Sequence, residues 1–235
     1  MPRDLGDVID CFIPEAALGP RRVIGLPVAA GDVLRAAVAW NLSVEISRSG
    51  APCTLVTRGS PVDDSLWPPP GRGPLGSRLV QARESDDFGS CELATDPQLV
   101  LDCPPAETLG HAASSPGAPR HWLLLSAPDP EGLRHVHHQA LAIAAAQPDA
   151  RIGVTIHGVR RIAEARAAFE ELAVAVESDC AASLASYGLL VDDLHLYRAI
   201  VAQRPIGLVH PAAPATRALA DVARLLLEDL RDAAQ

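Results

Sequence analysis

The sequence predicts an α/β protein with three layers, a mostly parallel twisted sheet flanked by helices. Two observations carry that reading. Short runs rich in Val, Ile and Leu, among them Val23–Val28, Gln98–Cys103, His121–Pro128 and Arg151–His157, read as buried strands. Longer stretches of helical spacing lie between such runs. The unit from Arg21 to Gly59 reads strand, glycine-containing turn, helix, strand, and parallel strands need a crossover of that kind.

The elements follow in chain order. Residues 1–20 form a separate N-terminal segment, in which Val8–Ile9 and Cys11–Ile13 suit either a short helix or an edge element. Residues 21–235 read as one α/β domain; at 235 residues the chain can hold one large domain, although length alone also permits two. After the first strand the turn Ala29-Ala30-Gly31-Asp32-Val33 leads into a helix from about Leu34 to Arg48, ended by Gly50 and Pro52. Thr54–Thr57 starts the second strand. Residues 60–77, centred on Pro68-Pro69-Pro70-Gly71 and Gly73-Pro74, read as a turn-rich surface loop. Arg78–Ala82 and Cys91–Leu93 are short strand candidates. Gln98–Cys103 is a central strand running into Pro104-Pro105, and His121–Pro128 is another.

Asp129-Pro130-Glu131 carries helix-start signals, a first-turn proline with acids beside it, and that helix runs to about Ala146. Arg151–His157 is a further strand. Arg160–Val176 is an alanine-rich helix whose stripe Ile162, Ala165, Phe169, Leu172 and Val176 is predicted core. Ile206–Pro211 reads as the last strand or its edge. Pro214 opens a final helix to about Leu230, with Leu219, Val222, Leu226 and Leu230 on one face.

Composition narrows the function classes. Hydrophobic residues make up 48% and aromatics only 3%, so Ala, Leu and Val must fill the core. The net charge is −9 with no basic run, which argues against nucleic-acid binding by clustered cations. The cysteines at 11, 53, 91, 103 and 180 are odd in number and scattered, without a CxxC pair; free thiols in a reducing compartment are expected. No apolar run approaches transmembrane length, and the N-terminus has acids where a signal peptide has an apolar core. A cytoplasmic protein without membrane insertion is expected. The helix after Asp129 carries His135, His137 and His138; His135 and His138 share a face, but nothing completes a metal ligand set, and a solvated face is the expectation.

The segment Asn41–Gly50, NLSVEISRSG, resembles the helix after the deviant Walker A loop of MinD/ParA-type ATPases, including FlhG-like chains. Three further stretches carry the same resemblance. Asp102-Cys103-Pro104-Pro105 is similar to the family's D-x-P-P motif. Ser186–Asp193 is similar to "Y-L-G-x-I-P-x-D", and Leu196–Pro205 to the "L-R-x-A-V-x-x-Q-R-P" helix. The resemblance spans Arg21 to Leu230 and implies the MinD-like P-loop NTPase fold.

It also implies where a nucleotide would sit. Counting back from Asn41 places the loop at Ala29–Ala36. The Walker lysine falls on Arg35, the following Thr/Ser on Ala36, and the signature lysine on Ala30. Asp32 and Leu34 replace two glycines, while Gly31 stays. The family's metal-side aspartate falls on Asp102, and its adenine-contacting asparagine falls on His157. Thr57-Arg58-Gly59 stands where relatives have a D-x-D ending.

The chain contains no lysine at all, its 20 basic residues being arginine, so no shift of register supplies one. Walker chemistry needs a compact ammonium at the phosphates and a hydroxyl on magnesium; arginine brings a larger planar fork, and alanine brings nothing. The sequence thus predicts vestigial nucleotide-site positions at Ala30, Gly31, Asp32, Arg35, Ala36, Asp102 and His157, with no catalytic residue, metal or cofactor. Asp102 is expected to cap the turn after its strand. The expected role is protein binding, as a scaffold or regulator in positioning a bacterial structure, with itself or an active homologue as a dimer partner.

Two alternatives stand beside it. One is a nucleotide-binding ATPase switch with Arg35 in the lysine's place and Asp102 on magnesium–ATP. The other makes Cys103 a nucleophile, which requires a base placed beside it. The final helix carries Glu228, Asp229 and Asp232 and no basic face, unlike a membrane-targeting tail.

Overall fold

The computed structural model describes residues 22–58, 67–82, 99–180 and 182–232. The N-terminal segment, the Cys91–Leu93 candidate and the first part of the 60–77 loop lie outside the described residues. Eight strands form one sheet in the order β3-β4-β2-β5-β1-β6-β7-β8. They are β1 (Arg22–Gly25), β2 (Cys53–Arg58), β3 (Gly71–Arg72), β4 (Arg78–Ala82), β5 (Leu99–Cys103), β6 (His121–Ser126), β7 (Arg151–Val159) and β8 (Leu184–Val191). Every neighbouring pair is parallel except β3 with β4. The helices are α1 (Val33–Arg48), α2 (Leu109–Ser114), α3 (Pro130–Ala146), α4 (Ile162–Cys180), α5 (Leu194–Val201), α6 (Ile206–Val209) and α7 (Pro214–Asp232).

The uninterrupted apolar runs are explained by β6, whose two faces enter different cores. Leu123 and Leu125 pack with α1, α5, α6 and α7 through Leu42, Ile46, Leu196, Ile206, Leu219 and Leu226. Trp122 and Leu124 pack on the other face, with Val136 and Ile143 of α3 and Leu172 and Val176 of α4. Successive side chains point to opposite faces, so a strand covered on both sides is apolar at every position. Trp122 is fully buried, and its ring lies against Gly25, where a Cβ would come within 2.3 Å of it.

Four expectations need correction. Ile206–Val209 is a short helix, and the last strand is instead β8. The first strand ends at Gly25; beyond it Leu26 and Val28 still donate to the carbonyls of Asp102 and Pro104 at 2.8 and 3.0 Å, although Pro27 has no N–H to offer. The 60–77 stretch is not only loop, because Gly71–Arg72 pairs antiparallel with β4. Ile162 leaves the predicted core stripe and is 76% exposed, while Ala168 joins Ala165, Leu172 and Val176 inside.

β8 lies at one border of the sheet, and among the described residues no strand pairs with its outer side. A bulge interrupts it where Val154 faces Ser186 but Ile156 faces Leu189, and Gly188 supplies the needed positive φ of 84°.

Candidate functional site

β1 stands between β5 and β6, and the chain leaves it toward β2 while β5 later crosses it to reach β6. In open α/β sheets, the carboxyl end of such a switch point is where ligands bind. The loop Ala29–Ala36 occupies that position. Gly31 takes a φ of 74°, which favours glycine, and the Asp32 N–H closes the turn on the Ala29 carbonyl at 3.1 Å.

The loop's polar groups are bonded within the protein. Asp32 caps α1, its Oδ1 accepting the Arg35 N–H at 2.9 Å, while its carbonyl accepts from Ala36. The Asp32 carboxylate also pairs with the Arg35 guanidinium. The same guanidinium donates from Nη2 and Nε to the Leu125 carbonyl at the end of β6, at 2.9 and 3.3 Å. Glu107, on the single turn after Pro105, accepts the Ala30 N–H through Oε1 at 3.0 Å. Two carboxylates thus lie where backbone donors and a helix N-terminus would receive an anion. Ala36 is buried in the core with its methyl group toward apolar neighbours.

Asp102 is not a turn cap, which corrects the sequence expectation. It is 1% exposed and accepts two hydrogen bonds from Arg58 of β2, Nε to Oδ1 at 2.7 Å and Nη2 to Oδ2 at 2.9 Å. The fork geometry suits guanidinium and carboxylate, and both partners are buried. Thr57 of the same strand is buried beside it in sequence and Gly59 lies outside the described residues.

His157, near the end of β7, is held below the ordinary histidine range, first by burial and then by the Arg35 charge; Asp32 and Asp129 oppose that shift. Its Nδ1 is buried without a hydrogen-bond partner among the described residues. His135 on α3 responds to burial and to the same Arg35, with Asp32 and Glu107 acting oppositely. The structure therefore gathers Ala30, Gly31, Asp32, Arg35, Glu107, Asp129, His135 and His157 at one end of the sheet. Asp102 and Ala36 lie below them in the interior. Sequence reading did not single out Glu107 or Asp129 as part of this site, and it did not foresee that Arg58 pairs with Asp102.

Cys103 is buried, and its thiol is driven well above the ordinary range by burial, with the Asp102 and Cys53 charges adding to it. A reactive cysteine requires the opposite surroundings, so the nucleophile reading is set aside. Among the described residues no three His, Cys, Asp or Glu stand close enough together to hold one metal ion, and no helix is long and apolar enough to cross a membrane.

A three-layer, mostly parallel sheet with a glycine turn and helix at the switch point of β1 defines the doubly wound α/β class of architecture. Solved structures narrow it further. The chain superposes on the MinD cell division protein of Aquifex aeolicus with a TM-score of 0.68 and 14% identity, over 88% of this chain and 97% of that one. The MinC:MinD cell division protein complex of Aquifex aeolicus gives 0.64 and 15%, over 88% and 96%. A ParA family ATPase of Chlorobium tepidum TLS gives 0.58 and 12%, over 88% and 98%. The chain has the MinD/ParA fold. No protein-family model matches it, and no curated protein does.

Proposed function

We propose that this protein is a MinD/ParA-fold scaffold or regulator that binds other proteins in the spatial positioning of a bacterial structure, without hydrolysing ATP. The observation that carries the reading is the internal occupation of the loop. Asp32 and Glu107 supply the carboxylates that meet Arg35 and the Ala30 N–H, the groups a phosphate would need. Magnesium–nucleotide chemistry does not fit the residues present. Ala36 has no hydroxyl for the metal, and the Asp102 carboxylate is engaged by Arg58. Protein partners are in keeping with one structural neighbour being a MinC:MinD complex.

A second reading is a nucleotide switch using Arg35 in place of the lysine. It is favoured by the retained Gly31 turn and the α1 N-terminus, which still form the frame of an anion site. Calorimetric titration of ATP and ADP with magnesium, with mass followed by light scattering, separates the two. The scaffold reading expects no heat and an unchanged mass. Saturable binding with a monomer-to-dimer shift overturns it in favour of the switch.

A further inference from the structure

We propose that the outward face of α5, continued by α6, docks an acidic amphipathic helix of a partner protein. The proposal deepens the scaffold reading and rests on it. Leu194, Tyr197 and Val201 follow one another at spacings of three and four residues and are 61%, 45% and 85% exposed. That spacing puts them in one row on the helix, while Leu196 and Ala199 take the opposite side into the core. Leu208 of α6 is exposed as well. Single exposed apolar residues are ordinary, but a contiguous row is a contact surface without its partner.

The charge around this row decides the kind of partner. From Leu194 to Ala220 the chain holds no Asp or Glu, in a protein whose net charge is −9. Arg198 falls on the same arc of α5 and Arg204 follows just past its end, both exposed. Neither pairs with a carboxylate among the described residues, whereas Arg160, Arg166 and Arg224 each do. The two acids that precede α5 are turned to other work. Asp192 meets Arg160 at 3.4 Å, and Asp193 is buried, accepting the N–H groups of His195 and Ala215 at 2.9 and 3.0 Å. The result is an apolar row with a cationic border on an anionic molecule.

Its complement is apolar with carboxylates at the margin. A second copy fits worse, since a two-fold contact through this face would set Arg198 and Arg204 against their own kind. Two helices pack side by side through apolar rows at this spacing. The surface is also held in place from below: the Ile206 N–H donates to Asn41 Oδ1 of α1 at 2.7 Å, which fixes α6 before any partner arrives.

The test uses the whole chain and fluorescence anisotropy of a labelled synthetic helix with leucines at i, i+3 and i+7 flanked by glutamates. A control peptide carries arginines in place of the glutamates. The acidic peptide is expected to bind at least about tenfold more tightly than the control, and Val201→Asp to weaken it by about tenfold or more. Arg198→Glu is expected to weaken the acidic peptide and strengthen the control. Because both positions are exposed, unchanged melting curves show that the fold is intact.

Equal binding of the two peptides, or none, overturns the proposal. So does a doubled mass in light scattering that Val201→Asp abolishes, which assigns the face to a second copy. Co-sedimentation with phosphatidylglycerol vesicles that the same variant abolishes assigns it to lipid and also overturns it. The titration is repeated with magnesium–ATP. Peptide binding that requires ATP supports the docking face and overturns the nucleotide-independent scaffold; absence of binding in both conditions overturns the docking face and leaves the scaffold reading standing.

Discussion

Arg58 and Asp102 hold each other across β2 and β5 through two hydrogen bonds of 2.7 and 2.9 Å, both side chains almost completely out of water. A pair of this kind costs desolvation that its own attraction offsets, so its net worth is small while the loss of either member is not. Arg58→Ala should therefore destabilise by about 3–5 kcal/mol, and the joint change Arg58→Met with Asp102→Leu by far less. Denaturant unfolding of the three proteins measures this; equal losses for the single and joint variants would remove the pairing account.

Opening the loop should create an anion site. Asp32→Gly keeps helix initiation nearly intact, at a cost of a few tenths of a kcal/mol relative to the aspartate cap, and removes the carboxylate that neutralises Arg35. Glu107→Ala frees the Ala30 N–H. The double variant is expected to bind inorganic phosphate or ATP in calorimetry where the parent gives no heat. If the parent binds equally well, the internal carboxylates do not block the site.

Stability should fall as the pH drops below the ordinary histidine value of about 6.5. His157 and His121 are both held below the ordinary value near 6.5, His157 by burial and Arg35, His121 by burial and Arg151. Below that value the unfolded chain takes up protons that the folded chain refuses, so stability is complete above it and is lost as pH falls toward the folded values. His157→Asn should flatten this part of the profile, read as unfolding free energy against pH. An unchanged slope would mean that His157 titrates normally.

A second loss is expected at more acid pH from the two helix caps. Asp129 is lowered chiefly by the Gly132 N–H; at Asp193 burial raises the value, but the N–H groups of Ala215 and His195 outweigh it. Both carboxylates stabilise above the unfolded value of about 3.9, and the benefit disappears as pH falls through the folded values. Asp193→Ala should cost about 1–2 kcal/mol at neutral pH, since one residue caps both α5 and the start of α7. The difference from the parent should narrow below pH 4; a difference that persists there would point to packing instead.

Gly153→Ala is expected to be among the costly single changes. A Cβ there would lie 1.7 Å from the Tyr187 ring, and Tyr187 cannot yield without leaving Asp229, to which its hydroxyl donates. Overpacking of a filled interior costs about 1–3 kcal/mol. Thermal unfolding checks it, and a melting point equal to the parent's would show that the ring has room to move.

The long helices and parallel strands were legible because their signals are local. Asp129-Pro130 marks the start of α3, and Leu219, Val222, Leu226 and Leu230 mark the buried side of α7. Ile206–Pro211 reads as a strand although Ile206–Val209 is helical, because a short apolar run fits a strand and a helical turn equally. α2, made largely of Gly, Ala and Ser, has too little periodicity to be seen. The loop positions were readable from their resemblance to a known motif. Their bonds were not, because Glu107 lies 77 residues from Ala30 and Asp102 lies 44 from Arg58, and only the folded sheet brings them together.

The two borders of the sheet set the manner in which this molecule can join others. One border is a strand of two residues; the other is interrupted at Gly188, whose N–H is already turned to the Ser186 hydroxyl at 3.3 Å. Among the described residues neither offers the long straight ladder that a strand from another chain would need. Fibre-like growth through the backbone is thereby disfavoured at both borders.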